Sequence, residues 1–453
     1  MAPGHHRRGR RVPEEPRRGD VPAGAGGRGQ VERSVSSSVV SGRARWLLLG
    51  GFVLAALNLR PALAGLSPLL PAIMEDLGLR PAQGGAITTV MVLCLGLCGP
   101  LAPALAARLG LDRTLLVGLL LLAAGIAVRS ADGLVALYGG AAMAGTAIAI
   151  MNVAMPGLVK QHFPDRVGPL TAVYVSSLVC GAATASAVTV PLAAAAGWRL
   201  AAGAGAVFAL AAAVLWAPQT FGARARRAGS PGRGRSYRVL LRSRTTWIVM
   251  AFMGLQSLTF YIMLAWLPTI FQSAGLSAEE AGYLLGLTNL AQIAATLTVP
   301  VHAGRARTQV PHVIVAALLT IIGYLGVLLA PTTVPWLWMI VLGVGQGASI
   351  ALALLIITLR APDPASVTAL SAVAQSAGYV LAALGPLAVG LLHQRSGGWT
   401  APLLAGLGVC VIQCVVGAVA GRPVPDPRQA TGRRDTEDVP DVPDVRPTDR
   451  GAR

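Results

Sequence analysis

The sequence predicts an all-α membrane protein with twelve transmembrane helices, arranged as two parallel six-helix repeats. The first observation is composition: 54% of the 453 residues are hydrophobic and 12% are charged, against roughly 45 to 50% and 25% in a soluble domain. The second is that long charge-free runs separate the charges, and the third is an internal repeat. A soluble globular protein is therefore excluded.

Each charge-free run is long enough for a membrane helix, which needs about 20 apolar residues to cross the hydrocarbon layer. Lipid offers the backbone no hydrogen-bond partners, and the runs are too long for barrel strands, so we expect helices. The segment Pro331–Pro335 interrupts a run of 52 uncharged residues and indicates a turn between two spans. The predicted spans 1 to 12 lie, in chain order, within Trp46–Met74, Pro81–Ala107, Thr114–Ala131, Gly133–Val159, Val167–Trp198, Leu200–Ala223, Thr245–Ala278, Ala281–Gly304, Thr308–Leu359 (two spans), Ala365–Gln394 and Ser396–Gly421.

Positive charge is distributed unevenly between the loops. Loops after even-numbered spans carry 15 Lys and Arg residues, and loops after odd-numbered spans carry 4. Positively charged loops stay in the cytoplasm, so both termini are predicted to be cytoplasmic. The net charge of +18 lies in loops and tails, which leaves no basic surface for a nucleic acid. The predicted organisation is a disordered basic tail at 1–45, a six-helix bundle at 46–218, a basic cytoplasmic linker at 219–244, a second bundle at 245–421 and a disordered tail at 422–453.

An internal match relates the two bundles. At an offset of 197, ten of the 39 positions from 70 to 108 are identical without a gap. Leu70–Ile73 falls on Leu267–Ile270, and Gly78 falls on Gly275. The offset covers six helices, an even number, so the second bundle enters the membrane in the same direction as the first. This is a parallel repeat about an axis along the membrane normal.

One ionisable residue lies deep within a predicted span. Arg60 follows Trp46 by 14 residues, which is about 21 Å along a helix and too far for easy snorkelling. Pro61 removes a backbone donor and kinks the helix at this point. None of the predicted spans contains Asp or Glu, so we expect the guanidinium to bind an anion or a planar, acceptor-rich ligand. Two alternatives remain: Arg60 clamps neighbouring carbonyl groups, or the span is shifted so that Arg60 nears an interface.

Uncharged polar side chains at similar depth extend the candidate substrate site. Gln375 and Tyr379 are four residues apart and share a helix face. Such groups can instead only hold helices together. Asn289 and Gln292 of span 8 are further candidates. The predicted substrate-binding residues are Asn58, Arg60, Asn152, Gln256, Gln346, Gln375 and Tyr379, and the predicted kink and gating residues are Pro61, Arg108 and Arg305.

Catalytic chemistry has no recognisable basis in the predicted spans. Membrane enzymes need paired acids, His with an acid, or a nucleophile beside a base. The four-residue spacings of Cys94 with Cys98 and of Cys410 with Cys414 are interpreted as core packing rather than as a metal site. We therefore predict no enzyme activity, no cofactor and no metal. A membrane enzyme or a non-transporting receptor remains as a remote alternative.

Several of these segments resemble one family of membrane proteins. Asn58–Pro61, followed by Ser67–Pro71 and Asp76–Leu79, resembles the first helix of the cyanate and 2-nitroimidazole transporter family (CynX/NimT) of the major facilitator superfamily. Late in the chain, Gln375–Tyr379 and Gly385–Leu387 resemble the same family. The resemblance implies the major facilitator fold, with a substrate site between the bundles near mid-membrane and alternating access. It also implies secondary transport of small anions or small planar heterocycles across a bacterial inner membrane.

The resemblance covers roughly residues 45–421 and leaves substrate and direction open. We predict a transporter of a small anionic or planar acceptor-rich, cyanate-like solute; the alternative is an exporter of neutral or aromatic toxic compounds, such as nitroheterocycles or antibiotics. The protein is expected to be a monomer in the lipid bilayer, coupled to a proton or an anion. One superfamily pattern is altered, because Ala107 precedes Arg108 where an Asp usually stands. Asp112 is the candidate substitute for that acid.

Overall fold

A computed structural model describes residues 42–222, 241–361 and 364–423. This part of the chain is helical and contains no strand, and from Arg43 onward it forms one compact unit. Eleven of its helices are long and apolar enough to cross a membrane, and one of them, Pro169–Thr220, holds two predicted spans. The prediction of an all-α membrane protein with twelve spans is confirmed. The predicted tails and most of the predicted linker lie outside the described residues.

The helices follow the predicted order of spans. Span 1 consists of three α-helical pieces and the 3-10 helix Ser67–Leu69, and spans 5 and 6 are two helices that meet at a sharp kink at Gly197. A short helix, Leu101–Leu109, follows span 2. The helices are Gly42–Leu57, Pro61–Ala64 and Leu70–Asp76 (span 1), Pro81–Cys98 (span 2), Leu111–Arg129 (span 3), Leu134–His162 (span 4), Val167–Gly222 (spans 5 and 6), Arg244–Ser273 (span 7), Ala278–Arg305 (span 8), Val310–Leu329 (span 9), Pro335–Arg360 (span 10), Pro364–Ser396 (span 11) and Thr400–Ala420 (span 12).

Some boundaries differ from the prediction for local reasons. Span 2 ends at Cys98 rather than continuing to Ala107, because Gly99 and Pro100 interrupt the helix. Span 6 continues to Gly222, so the helix overlaps the first four residues of the predicted linker. Span 3 begins three residues earlier than predicted and therefore includes Asp112. The expectation that no span contains an acid is wrong here, and the helices of spans 1 and 8 also carry acids near their ends: Glu75 and Asp76, and Glu279 and Glu280.

Asp112 lies in the first turn of span 3. It is 5% exposed, and its carboxylate lies 2.7 Å from Nε2 of His162. Gln161 donates a hydrogen bond to the same carboxylate at 2.7 Å. The indole of Trp216 donates to the backbone carbonyl of Asp112 at 3.1 Å. Asp112 therefore joins the ends of spans 3, 4 and 6, all within the first bundle.

The turn between spans 5 and 6 depends on a single glycine. Gly197 has φ +81° and ψ 157°, a backbone region that only glycine adopts without strain. The chain reverses direction at this residue, so the helices of spans 5 and 6 follow each other without an intervening loop. Gly78 and Gly275, which the repeat places in register, also have positive φ.

Substitution of Gly197 tests this interpretation of the turn. Gly197→Ala is expected to lower the free energy of unfolding by roughly 1 to 3 kcal/mol, the cost of a strained backbone conformation. Equilibrium unfolding in mixed detergent micelles measures the change. Gly398→Ala is the matched control, since Gly398 lies in the corresponding turn, has no positive φ, and would place its new methyl group more than 4 Å from any neighbouring atom. Equal stabilities of the two variants would contradict the proposed role of Gly197.

Spans 2 and 11 form the closest contact between the two bundles. A methyl group at Gly85 would overlap the carbonyl oxygen of Pro386, so only glycine allows this approach. One turn further along span 2, the Thr89 hydroxyl donates to the Ala383 carbonyl at 2.6 Å and accepts from the Leu387 amide at 3.2 Å. Thr89 thus bridges the Leu387 amide and the Ala383 carbonyl, a helical pair next to the bond that Pro386, without an N–H, cannot make.

The end of the molecule where span 1 finishes is closed by apolar side chains. Leu70 and Ile73 of span 1 and Trp266 and Phe271 of span 7 are fully buried and belong to one hydrophobic cluster. The amide of Gln272 also donates to the carbonyl of Pro68 at 3.3 Å. The bundles are therefore in contact at this end, and a solute would need them to separate before it could pass.

Candidate functional site

The broken helix of span 1 places Arg60 in a position that an unbroken helix could not provide. The first piece ends at Leu57 and the next begins at Pro61, whose ring nitrogen has no proton to donate. The backbone carbonyl of Leu57 is approached so closely by Gly181 of span 5 that a methyl group there would overlap it. Arg60 itself caps the next piece, with Leu63 and Ala64 donating to its carbonyl at 3.1 and 3.0 Å. The break predicted at Pro61 is present.

The Arg60 side chain enters a cavity between the two bundles. The cavity has a volume of about 20 Å³, which is room for about one water molecule. Span 1 contributes only Arg60, and spans 7, 8, 10 and 11 contribute the rest. The other lining residues are Gln256, Ser257, Phe260, Tyr261, Gln292, Gln346, Ile350 and Tyr379. In this conformation the lining side chains leave only this small space between them.

Arg60 carries a positive charge that the described residues do not balance. Its guanidinium carbon lies 5.1 Å from the centre of the Phe260 ring, a cation–π contact. Among the described residues, none forms an ion pair with Arg60 or accepts a hydrogen bond from its side chain. No described Asp or Glu lines the cavity. The site therefore presents an unpaired cation with its donors available.

The polar groups around Arg60 are neutral and only partly engaged. The amide nitrogen of Gln256 donates to the Met253 carbonyl at 3.1 Å and to Ser257 Oγ at 2.7 Å, which leaves its carbonyl oxygen available. The amide nitrogen of Gln346 donates to the carbonyl of Thr259 at 3.4 Å. In the described part of the chain, neither the Gln292 side chain nor the hydroxyls of Tyr261 and Tyr379 have a hydrogen-bond partner.

Aromatic rings form one wall of this cavity. Phe260 and Tyr261 have ring centres 5.1 Å apart, and Tyr261 and Tyr379 have ring centres 6.2 Å apart in an edge-to-face arrangement. A small planar ligand could therefore meet a ring face on one side and the guanidinium on the other. Anion binding and stacking of a flat heterocycle are both compatible with these walls.

The structure gathers four of the seven predicted substrate-binding residues at this cavity: Arg60, Gln256, Gln346 and Tyr379. Asn58 instead donates to the carbonyls of Leu54 at 2.8 Å and Phe208 at 3.4 Å and lines a different cavity. The amide of Gln375 donates to Ser371 Oγ at 2.8 Å. Asn152 accepts a hydrogen bond from the Tyr174 hydroxyl at 3.3 Å and does not line this cavity.

Two aromatic lining residues were not anticipated from the sequence. Phe260 and Tyr261 are ordinary apolar members of a membrane helix by composition. Phe260, however, lies four residues after Gln256 and so shares its helix face. The four-residue spacing from Gln256 was therefore the sequence feature that could have identified Phe260 as a lining residue.

The idea that Arg60 is a solitary buried cation is wrong. Arg129 is one of the four basic residues assigned to the loops after odd-numbered spans, but it is the last residue of the span 3 helix and is 2% exposed. Its Nη1 donates to the carbonyl of Ala62 at 2.7 Å. A residue at the end of a helix can face either the water or the neighbouring helices, and the charge pattern does not distinguish the two.

The predicted gating arginines lie at exposed helix ends. Arg108 is in the last turn of Leu101–Leu109, and Arg305 ends span 8. Within the described residues, neither side chain forms an ion pair or a hydrogen bond. Their gating role stays a prediction.

Comparisons with known proteins agree with this arrangement. The chain matches the family model of the Major Facilitator Superfamily over residues 47–383. It is 38% identical to the 2-nitroimidazole transporter of Escherichia coli, over 85% of this chain and 98% of that protein. It is 28% identical to the cyanate transport protein CynX of the same organism, over 80% of this chain and 94% of that protein. The fold matches the crystal structure of the nucleoside transporter NupG with a TM-score of 0.68 at 13% identity, covering 83% and 98% of the two chains.

Proposed function

Since this chain belongs to the Major Facilitator Superfamily and is a transporter related to nitroimidazole and cyanate transporters, we propose that it moves a small anionic or planar acceptor-rich, cyanate-like solute. Its family and relatives are transporters, not enzymes, which confirms one prediction and removes the remote alternative of a membrane enzyme. We place it in a bacterial inner membrane with both termini in the cytoplasm. Coupling to a proton or an anion and a monomeric state belong to the same proposal.

One observation carries the proposal: the Arg60 guanidinium enters the cavity between the bundles without an acid or a hydrogen-bond acceptor among the described residues to satisfy it. Arg60 is half-buried, and a guanidinium in such a site is stabilised by an anion or by lone pairs placed in its plane. The cavity offers no described carboxylate that could attract a cationic solute. Cationic drugs are therefore poor candidates, and anions or acceptor-rich neutral heterocycles are good ones.

Alternating access supplies the transport step. In the present conformation the cavity holds about 20 Å³ and one end of the bundles is sealed. A solute that pairs with Arg60 would bridge span 1 of the first bundle and spans 7, 8, 10 and 11 of the second. Rocking of one bundle against the other would then expose the bound solute to opposite sides in turn.

A second function is favoured by specific observations. The aromatic wall of Phe260, Tyr261 and Tyr379 suits a flat ring, and the relative with 38% identity is a 2-nitroimidazole transporter. An exporter of neutral or aromatic toxic compounds would use the same wall, with Arg60 donating to a nitro group or ring nitrogen. The transported solute is neutral in this candidate, whereas the first candidate transports an anion such as cyanate.

Flux of two solutes through purified protein distinguishes the candidates. In proteoliposomes, radiolabelled cyanate and 2-nitroimidazole are each offered with and without an imposed membrane potential. We expect saturable cyanate flux that is inhibited by other small monoanions but not by ammonium or guanidinium; its response to the potential reports the coupling, because 1:1 symport with a proton or 1:1 exchange for an anion moves no net charge. Saturable 2-nitroimidazole flux that ignores both the potential and competing anions would favour the exporter. Protein-free liposomes are the control, and failure of both solutes to exceed them would contradict the proposal.

A further inference from the structure

A second cavity lies inside the first bundle and shares no lining residue with the cavity at Arg60. It has a volume of about 330 Å³ and is enclosed by spans 1, 3, 5 and 6. Its walls are largely apolar, with Ile126, Val188, Ala201 and Phe208 among them. This volume lies in the range of small-molecule sites, which combine apolar walls with a few polar groups that orient the ligand.

Arg129 is the charged group of this cavity. Its Nη1 is satisfied by the Ala62 carbonyl, but its Nε is buried without a hydrogen-bond partner among the described residues. Within the same part of the chain, no acid pairs with this guanidinium; the sulfur of Met91, at 3.8 Å from Nη1, is a weak acceptor. A buried charge with a single neutral partner is costly and is stabilised by an anion beside it.

The other polar side chains of the cavity are neutral, and all but the Thr184 hydroxyl are already engaged among the described residues. The Asn58 amide donates to the carbonyls of Leu54 and Phe208. The Thr189 hydroxyl donates to the carbonyl of Ala185 at 2.5 Å. Charge recognition in this cavity therefore depends on Arg129.

The cavity reaches the lipid-facing surface of the bundle. Two of its lining side chains, Val188 of span 5 and Phe208 of span 6, are 53% and 62% exposed. Apolar side chains that are exposed on membrane helices face the hydrocarbon layer. A ligand with an apolar body could therefore enter between spans 5 and 6 from the bilayer.

We propose that this second cavity binds an amphipathic carboxylate, with its carboxylate at Arg129 and its aliphatic body among the apolar side chains of spans 1, 5 and 6. Charge complementarity selects an anionic head, because Arg129 lines the cavity without an acid to pair with it among the described residues. The apolar walls select a fatty-acid-like body rather than a small inorganic anion. The site shares no lining residue with the cavity at Arg60, so the two are tested separately.

Photolabelling of the full-length protein in phospholipid nanodiscs tests this proposal. A diazirine analogue of decanoate is the probe, and mass spectrometry of peptides locates the labelled residues. Labelling is expected on spans 5 and 6 around residues 184–208, with decanoate competing about tenfold better than decanol, the worth of one charge-assisted hydrogen bond.

Three variants sharpen the test. Arg129→Gln should remove the preference for decanoate over decanol. Ala204→Phe places a large side chain in the cavity and leaves Arg129 in place, so it should remove the labelling. This variant tests the site even if Arg129→Gln fails to fold. Arg60→Ala should leave the labelling unchanged, which separates this site from the transport site.

The proposal is overturned if the label is spread evenly over the lipid-facing helices. It is also overturned if decanol competes as well as decanoate, because the cavity then holds acyl chains of bulk lipid without recognising the head. Persistence of the label in Ala204→Phe would contradict the assigned position.

Discussion

Arg60→Ala is expected to lower kcat/KM for the transported anion by at least about a hundredfold. The variant removes a forked pair of charge-assisted hydrogen bonds, each worth about 1.5 kcal/mol or more, and every 1.36 kcal/mol corresponds to a factor of ten. It also leaves the neutral amides and hydroxyls of the cavity as the remaining polar groups. Initial rates of radiolabelled cyanate uptake into proteoliposomes, over a range of concentrations, measure the effect.

Matched variants separate charge, geometry and general damage in this experiment. Arg60→Lys keeps the charge but lacks the planar fork, so an intermediate loss is expected. Phe260→Leu removes the cation–π contact, worth roughly 0.5 to 2 kcal/mol, and should cost less than Arg60→Ala. Arg307→Ala removes an exposed arginine and should leave kcat/KM unchanged. Full transport by Arg60→Ala with an unaltered KM would reject the role of Arg60.

Gly85→Ala is expected to disturb the contact between spans 2 and 11 and to reduce transport by at least about tenfold. Its methyl group would overlap the carbonyl oxygen of Pro386 and lie 2.9 Å from the carbonyl carbon, and backbone atoms cannot yield as a flexible side chain does. Overpacking of this kind costs about 1 to 3 kcal/mol. This overpacking destabilises the conformation in which this end is closed, so the population of that conformation should decrease.

Gly139→Ala is the matched control for this prediction. Gly139 also lies near the beginning of a membrane helix, span 4, and no atom lies within 4 Å of the position that a methyl group would take there. Alanine at an unhindered helical position is slightly favoured over glycine, so stability should stay the same or rise. Thermal unfolding and solute flux are measured on both variants. Transport by Gly85→Ala at the native rate would show that the close contact is not needed in the cycle.

The sequence predicts which segments span the membrane much better than it predicts which way their residues face. Charge-free runs define the spans because lipid excludes charges, and Pro61 identifies the break because proline lacks a backbone donor. Depth along a helix follows from counting residues from its end. Orientation around the helix axis depends on packing against other helices, which a single sequence does not reveal.

Particular residues illustrate this limit. Gln256 and Gln375 are comparable amides at comparable depth, but Gln256 lines the cavity and Gln375 donates to Ser371 within its own helix. Arg60 and Arg129 both lie inside the bundles, but proximity to a loop made Arg129 look exposed. Since all spans are apolar on most sides, no amphipathic pattern marks the inward face as it does in a soluble helix.

A structure with selenocyanate bound would test the central claim most directly. This linear monoanion resembles cyanate in shape and charge, and its selenium atom can be located by anomalous scattering. The account predicts anomalous density in the cavity between the bundles, with the anion within hydrogen-bond distance, about 2.7 to 2.9 Å, of the Arg60 guanidinium. Anomalous density elsewhere, with the Arg60 cavity empty at concentrations that saturate transport, would contradict it.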